Sequence, residues 1–175
     1  MECLKTAEIG FRRVLLRVLG LFVRLGRTLP AHLDFSSKKY LFVRQDRIGD
    51  VLVSTPLIYA LKAKYPNAVV DFVLSSNNHF VLKNEPLVRK RWVYRKTFAG
   101  AWDLLQSIRR EKYDFVIDLM DNPSATSTVL CMLAGGGWNV GLSKENSYAY
   151  DVVVPLISRK DNHIIDRLAA LLSVF

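Results

Sequence analysis

Cysteine is scarce in this chain. Cys3 and Cys131 are the two among 175 residues. They lie far apart and form no CxxC pair, which excludes a disulfide scaffold and a zinc ribbon and fits a reducing compartment. The histidines, His32, His79 and His163, show no metal-ligand spacing. Glycine-rich phosphate loops are missing too: neither GxGxxG nor a P-loop occurs. Acid is absent from Ile9 to Leu33. Long apolar runs are absent from the same stretch. The longest between its arginines, Val18 to Val23, falls far short of the ~20 residues of a membrane span. Those arginines also interrupt the apolar region a signal peptide needs, and no small-residue cleavage site follows.

Half of the residues are hydrophobic and 23% are charged, so a disordered chain is excluded. The length suits one well-cored α/β domain. The formal net charge of +9 suggests anionic partners: phosphate groups, an acidic lipid surface or nucleic acid. No nucleic-acid motif accompanies that charge, and no nucleic acid is expected as a partner. At about 100° per residue, Phe11, Val14, Leu15, Val18, Leu21, Phe22, Leu25 and Leu29 share one helical face. Arg12, Arg13, Arg17, Arg24 and Arg27 take the other. This is a basic amphipathic helix. It lies in the plane of an anionic lipid surface, or it packs its apolar face on the domain or on another chain. Thr28 to Ser37, with Pro30, reads as a linker. The expected organisation is an arm and linker over 1–37 and a domain over 38–175.

From Lys39 onward, strand and helix patterns alternate. Strands are expected at Tyr40–Arg44, Ala68–Leu74, Arg91–Tyr94, Asp114–Leu119, Asn139–Leu142 and Val152–Leu156. Helices are expected within Val51–Lys64, at Trp102–Arg110 with Trp102, Leu105 and Ile108 on one face, at Ser124–Leu133, and at His163–Leu172. A short helix is expected at Asn78–Leu82. Pro56 leaves two options for the first long helix: a start at Thr55, or a start near Asp50 with a bend. Near-continuous apolar strands alternating with helices imply a parallel sheet covered on both faces, an α/β Rossmann-like domain. Ligands of such sheets bind beyond the carboxyl ends of the strands, at the switch point. That rule selects the loops Gln45–Asp50 and Met120–Ser124.

The first loop carries Asp46, Arg47 and Asp50 within five residues. Gly49 lets the backbone turn and approach a ligand. Asp50 is either a helix cap, worth ~1 kcal/mol, or a general base that takes a proton from a sugar hydroxyl. Arg47 holds a phosphate or pairs with Asp46 or Asp50. Asp118 ends the fourth strand and faces the cleft on this reading. Asp121 to Ser124 caps the next helix. Gly135–Gly137 stops that helix. His163 opens the last helix in a structural role. The basic run Lys83–Lys96 with Trp92 and Tyr94 reads as a solvated strand edge.

Residues 39–62, KYLFVRQDRIGDVLVSTPLIYALK, resemble the opening of the ADP-heptose:lipopolysaccharide heptosyltransferases, glycosyltransferase family nine. Their loop has the form Arg-x-Asp-x-Ile-Gly-Asp, followed by a helix with Thr-Pro and Ala-Leu. Further similar elements follow in order: Tyr65-Pro66, Asn84–Leu87, Tyr113–Leu119, Val140-Gly141 and His163–Leu172. The resemblance implies the N-terminal half of a GT-B fold, two Rossmann-like domains facing across a cleft. It implies an inverting transfer of a heptose-like sugar from a nucleotide-sugar donor to a lipid-linked saccharide acceptor, without a metal or other cofactor. By the same resemblance Asp50 is the catalytic base; Asp46, Arg47, Gly49, Thr55 and Asp118 are expected to bind substrate. A peripheral position at the cytoplasmic face of the inner membrane, on an anionic surface, is also implied. The family would cross into a donor-binding domain where this sequence ends, so donor binding is expected to need a domain beyond these residues and this chain is expected to be inactive alone. The alternative is a non-catalytic, membrane-associated module that binds an anionic glycolipid or a protein partner.

The segregation of arginines from the apolar face makes a testable expectation. Residues 9–29 should bind anionic but not neutral liposomes in cosedimentation. Binding should weaken with salt, because surface attraction is screened over ~10 Å at 0.1 M ionic strength. If deletion of residues 1–30 leaves anionic-liposome binding unchanged, the arm is a packing element.

Overall fold

Strand formation follows the apolar runs. The computed structural model describes residues 27–158, 160 and 162–175; the expected amphipathic helix falls mostly outside them. Six strands form: β1 Lys39–Val43, β2 Val69–Ser75, β3 Lys90–Tyr94, β4 Phe115–Asp118, β5 Trp138–Leu142 and β6 Val152–Val154. All neighbouring pairs are parallel, in the order β3-β2-β1-β4-β5-β6. The chain therefore works outward from β1 to one edge, returns, and works outward from β4 to the other. The switch point lies between β1 and β4. This is the Rossmann-like α/β fold that the alternating pattern implied.

Among the described residues, five α-helices accompany the sheet: α1 Ile48–Leu52, α2 Thr55–Lys64, α3 Phe98–Glu111, α4 Ala125–Leu133 and α5 Ile164–Ala169. Leu57, Ile58 and Leu61 of α2 and Leu168 of α5 cover one face, against Tyr40, Phe42, Phe72 and Phe115. Leu104, Leu105 and Ile108 of α3 and Leu130 and Cys131 of α4 cover the other, against Leu41, Val43, Val73 and Val116. Strands buried on both sides need apolar residues at every position, which is why β1 and β4 show no alternation. Pro56 settles the helix boundary physically. Its ring is tolerated in the first turn of α2, and Val53-Ser54 separates this helix from the single-turn α1. Asn78–Leu82 is a 3-10 turn from His79, and the closing helix tightens to 3-10 geometry from Ala170.

Two expectations change. Trp102 does not share the buried face of α3: it is 53% exposed, while Leu104 takes that place. The stripe Leu104, Leu105 and Ile108 leaves Trp102 roughly 110° away around the helix. The segment 28–37 forms no regular element, but Leu29, Leu33 and Phe35 pack against the core. The Phe35 ring lies 5.7 Å from Phe115 and 5.5 Å from Phe175, and its carbonyl accepts from the Tyr40 hydroxyl at 3.1 Å. Arg27 is pinned to the domain through an ion pair with Asp151 at 3.3 Å.

Two of the three glycines after α4 do different jobs. Gly135 takes a positive φ of 68°, which ends the helix. Gly137 lies so close to the Asp114 backbone carbonyl that a Cβ would overlap it. A backbone wall cannot rotate aside, so Gly137→Ala should cost about 1–3 kcal/mol, in the range of overpacking, and lower the thermal midpoint. Gly49, whose Cβ would meet nothing within 4 Å, is the control: Gly49→Ala should leave the midpoint unchanged or raise it. An unchanged midpoint for Gly137→Ala would contradict this account of the turn.

Candidate active site

The apolar run of β1 ends in a charge. Arg44 follows Val43 at the carboxyl end of the strand and is fully buried. A buried guanidinium must find partners for its N–H donors. Its Nε lies 3.1 Å from Asp46 Oδ1 and its Nη2 3.2 Å from Asp50 Oδ1. Its Nη1 donates to the carbonyl of Leu119, just past β4. One side chain thus spans the switch point and gathers both carboxyls of the first loop. The contacts to Asp46 and Asp50 are ionic rather than aligned hydrogen bonds. Asn78, beyond β2, fastens the loop from the other side, donating to the Asp46 carbonyl at 3.2 Å.

Asp46 and Asp50 differ in setting. The Asp46 side chain is 21% exposed and that of Asp50 33%. Burial pushes the Asp46 carboxyl up to about 6; the Arg44 guanidinium opposes this and the neighbouring Asp50 carboxyl adds to it. Asp50 stands in the first turn of α1 but does not cap it. The cap position is Arg47, which makes no side-chain capping bond. The cap reading of Asp50 therefore gives way to the ion pair with Arg44.

The remaining expected residues divide. Arg47 is exposed and makes no ion pair among the described residues; Arg44, not Arg47, pairs with the two aspartates. Gly49 lies inside α1 with open space around its Cα and no strained φ, so the turn does not require it. Its bare backbone leaves room at the mouth of the loop. Thr55 opens α2, and its hydroxyl donates to the Leu52 carbonyl at 2.8 Å, knitting α2 to α1.

Asp118 does not face an open cleft. It is fully buried, and its Oδ2 accepts from Ser127 Oγ at 3.0 Å, Lys144 Nζ at 3.0 Å and Tyr150 OH at 2.5 Å. Lys144, 3% exposed, also donates to the Met120 carbonyl. Burial, then the Asp118 charge, drives the Tyr150 hydroxyl far above its ordinary range, so it stays a donor. Asp118 thus holds the loop after β4 in place. Ser124 caps α4, accepting from the Ser127 N–H, whereas Asp121 pairs with Arg167 of α5 at 3.3 Å. His163 caps α5. Among the described residues no group of three His, Cys, Asp or Glu side chains is placed to hold a metal ion. None of the described helices is long and apolar enough to cross a membrane.

No family model matches the chain. Lipopolysaccharide heptosyltransferase 3 of Escherichia coli strain K12 is 31% identical over 93 residues, 49% of this chain and 27% of that protein. This chain resembles the lipopolysaccharide heptosyltransferases. A glycosyl transferase of family 9 from Veillonella parvula superposes with a TM-score of 0.71 at 20% identity, covering 81% of this chain and 42% of that one. A heptosyltransferase of E. coli solved with ADP-2-deoxy-2-fluoro heptose gives 0.66 at 17% identity, covering 78% and 47%. The E. coli ADP-heptose lipopolysaccharide heptosyltransferase II gives 0.64 at 24% identity, covering 76% and 39%. The alignment with the curated relative spans about a quarter of its length, and the superpositions cover less than half of these solved relatives.

Arg44, Lys144, Tyr150 and Arg167 are the site residues that sequence reasoning passed over. A signal existed for one of them: an arginine closing an otherwise apolar strand, directly before two aspartates.

Removing Arg44 should be costly. Arg44→Ala leaves two carboxyls and a buried carbonyl without their cation, a loss of about 3–5 kcal/mol by analogy with broken buried pairs. Denaturant melts would measure it. The pH dependence has a definite sign. The folded pKa of Asp46, about 6, lies above its reference value of 3.8, so the folded state binds the proton more tightly. Stability from this group is therefore present at low pH and lost as pH rises toward about 6. Asp46→Asn should flatten that part of the profile relative to the parent; parallel profiles would contradict it.

Proposed function

We propose that this domain is the acceptor-binding half of a heptosyltransferase-type glycosyltransferase, with Asp50 as its general base. The observation that carries the reading is the arginine-anchored pair Asp46 and Asp50 at the β1/β4 switch point. The pair lies within the loop that resembles the heptosyltransferase motif. In the reaction, an acceptor hydroxyl attacks the anomeric carbon of a nucleotide-activated heptose. The C–O bond to the diphosphate breaks, and the electron pair leaves with the nucleotide. Asp50 takes the hydroxyl proton as the new bond forms. Attack opposite the leaving group inverts the anomeric centre. Donor binding belongs to a second domain across the cleft, a reading supported by the similarity to proteins of which the matched part is less than half.

The acceptor is a lipid-linked, phosphorylated saccharide of the lipopolysaccharide core type, and the enzyme works peripherally at the cytoplasmic face of the inner membrane. The net charge of +9 supports an anionic acceptor surface. So do Phe98 and Trp102, 89% and 53% exposed. They follow the exposed cations Arg95 and Lys96 at the carboxyl end of β3. Apolar and basic groups together suit a lipid headgroup layer.

Two measurements test the reading. Paired with a heptosyltransferase donor domain, the chain should transfer radiolabelled heptose to a lipid A-type acceptor. Asp50→Asn should then reduce turnover by roughly 10²–10⁴-fold with little change in thermal midpoint. Retained turnover removes Asp50 from the chemistry. Calorimetry of residues 1–175 alone with a nucleotide-heptose should show no binding; micromolar affinity would mean that this domain carries its own donor site.

A further inference from the structure

The loop after β1 sets two carboxyls against one cation. Arg44 Nε meets Asp46 at 3.1 Å and Nη2 meets Asp50 at 3.2 Å, so the two carboxyls stand on adjacent nitrogens of one guanidinium. Among the described residues, the surroundings add no second positive charge. Asn78, on the β2 side, brings a neutral amide that donates to backbone carbonyls. His79 beside it is exposed, its Nδ1 on the Ser76 carbonyl. From β4 comes the Leu119 carbonyl. Asp121, further along that loop, is engaged by Arg167 of α5, and Arg47 is exposed. With both carboxyls ionised the cluster carries one uncompensated negative charge in a half-buried loop. A single proton relieves it. The two carboxyls compete unequally for that proton, because Asp46 is the more buried and its Oδ1 is cut off from solvent. Asp50, more exposed, is the one that a ligand can reach.

We propose that Asp46 is the proton store of the site: Asp50 takes the proton from the acceptor hydroxyl and passes it to Asp46, its neighbour on the same guanidinium, while Arg44 holds one oxygen of each. The catalytic part of this proposal rests on the transferase reading; the sharing of a proton does not. Asp46 and Arg44 are then positioning residues that act through Asp50, and neither meets the substrate. The balance is simple. The acceptor O–H bond breaks, Asp50 gains that proton, and it ends on Asp46, from which it returns to solvent. The advantage is one of basicity. A carboxylate whose proton affinity corresponds to about 6 is ionised at neutral pH and still holds a proton better than an ordinary aspartate.

The first arm of the test needs no glycosyl transfer. Carbon-13 NMR of aspartate side chains in the 175-residue chain should show Asp46 titrating near 6. Asp50→Asn, which removes the like charge, should lower that midpoint. Titration of Asp46 in the ordinary carboxylate range, or a midpoint indifferent to Asp50→Asn, overturns the proposal. The second arm uses the chain paired with a donor domain. In the parent, kcat should rise through pH 6 as Asp46 loses its proton. In Asp46→Asn that limb should vanish and kcat fall roughly tenfold with KM unchanged. A limb that persists, or a loss confined to KM, as expected if Asp46 simply binds substrate, overturns it. Absence of transfer by the parent at every pH defeats the transferase reading instead, and the first arm still decides whether the carboxyls share a proton.

Discussion

A guanidinium with no exposed surface dictates the arrangement of this site. Arg44 sits where β1 and β4 part company, and each of its nitrogens draws in a different segment: the loop at Asp46, helix α1 at Asp50, and the end of β4 at Leu119. Removing any one partner leaves charge or dipole uncompensated in a medium that does not solvate it. The conformation of the first loop is therefore tied to the position of β4 rather than to local turn preference. The same logic repeats along the carboxyl edge of the sheet. Asp118 draws in Ser127, Lys144 and Tyr150, and Arg167 joins α5 to Asp121. Buried ion pairs are poor sources of stability compared with apolar packing of the same volume. Buried charge is not confined to this end, since Asp71 of β2 is fully buried and pairs with Arg89; what sets the carboxyl edge apart is a buried cation holding two carboxyls at the switch point.

Much of the fold was legible because a doubly covered parallel sheet leaves a coarse signature. Uninterrupted apolar runs such as 40–43 and 115–117 read as strands with two buried faces, and α-helices fill the stretches after β1, β3, β4 and β6. What was not legible depended on partners distant in the chain. Nothing near Asp118 indicates that Lys144 and Tyr150 will enclose it, so an aspartate at a strand end read as facing a cleft. Arg44 and Arg47 look alike in sequence, three positions apart in a charged loop. Burial separates them completely, and burial is a property of the sheet, not of the loop. The amphipathic stripe of α3 was misjudged at Trp102 because an aromatic residue was counted as core, although its angular position lies outside the stripe.

Exposed apolar side chains collect at the same end as the buried charges. Ile48 and Leu52 lie on α1, Phe80 on the adjoining 3-10 turn, and Phe98 and Trp102 at the start of α3. Each follows the carboxyl end of β1, β2 or β3. Single exposed apolar residues are ordinary on protein surfaces. Their gathering on successive loops of one edge is a different matter, since it surrounds the Arg44 cluster with surface that water solvates poorly. A ligand with apolar and anionic parts would find both kinds of contact there. An open face also leaves the reacting groups in contact with water, and orientation in a closed site contributes up to ~7–11 kcal/mol to such reactions. On the transferase reading, chemistry at this edge calls for a second surface to close it.

The need for two carboxyls at such a site follows from a conflict. A base beside a buried arginine is held firmly in place, but the cation that fixes it also weakens it, because an opposite charge favours the ionised form. Placing a second carboxyl on the same guanidinium divides the attraction and adds a repulsion of the opposite sense. Burying that second carboxyl more deeply than the first adds desolvation, the largest cause acting on Asp46. The pair is then held rigidly while Asp46 keeps the higher proton affinity that burial gives it. On this argument the spacing of the loop, with Asp46 two residues after Arg44 and Asp50 four residues later on the first turn of α1, is set by electrostatics. The short helix α1 exists to bring the second carboxyl back over the same cation.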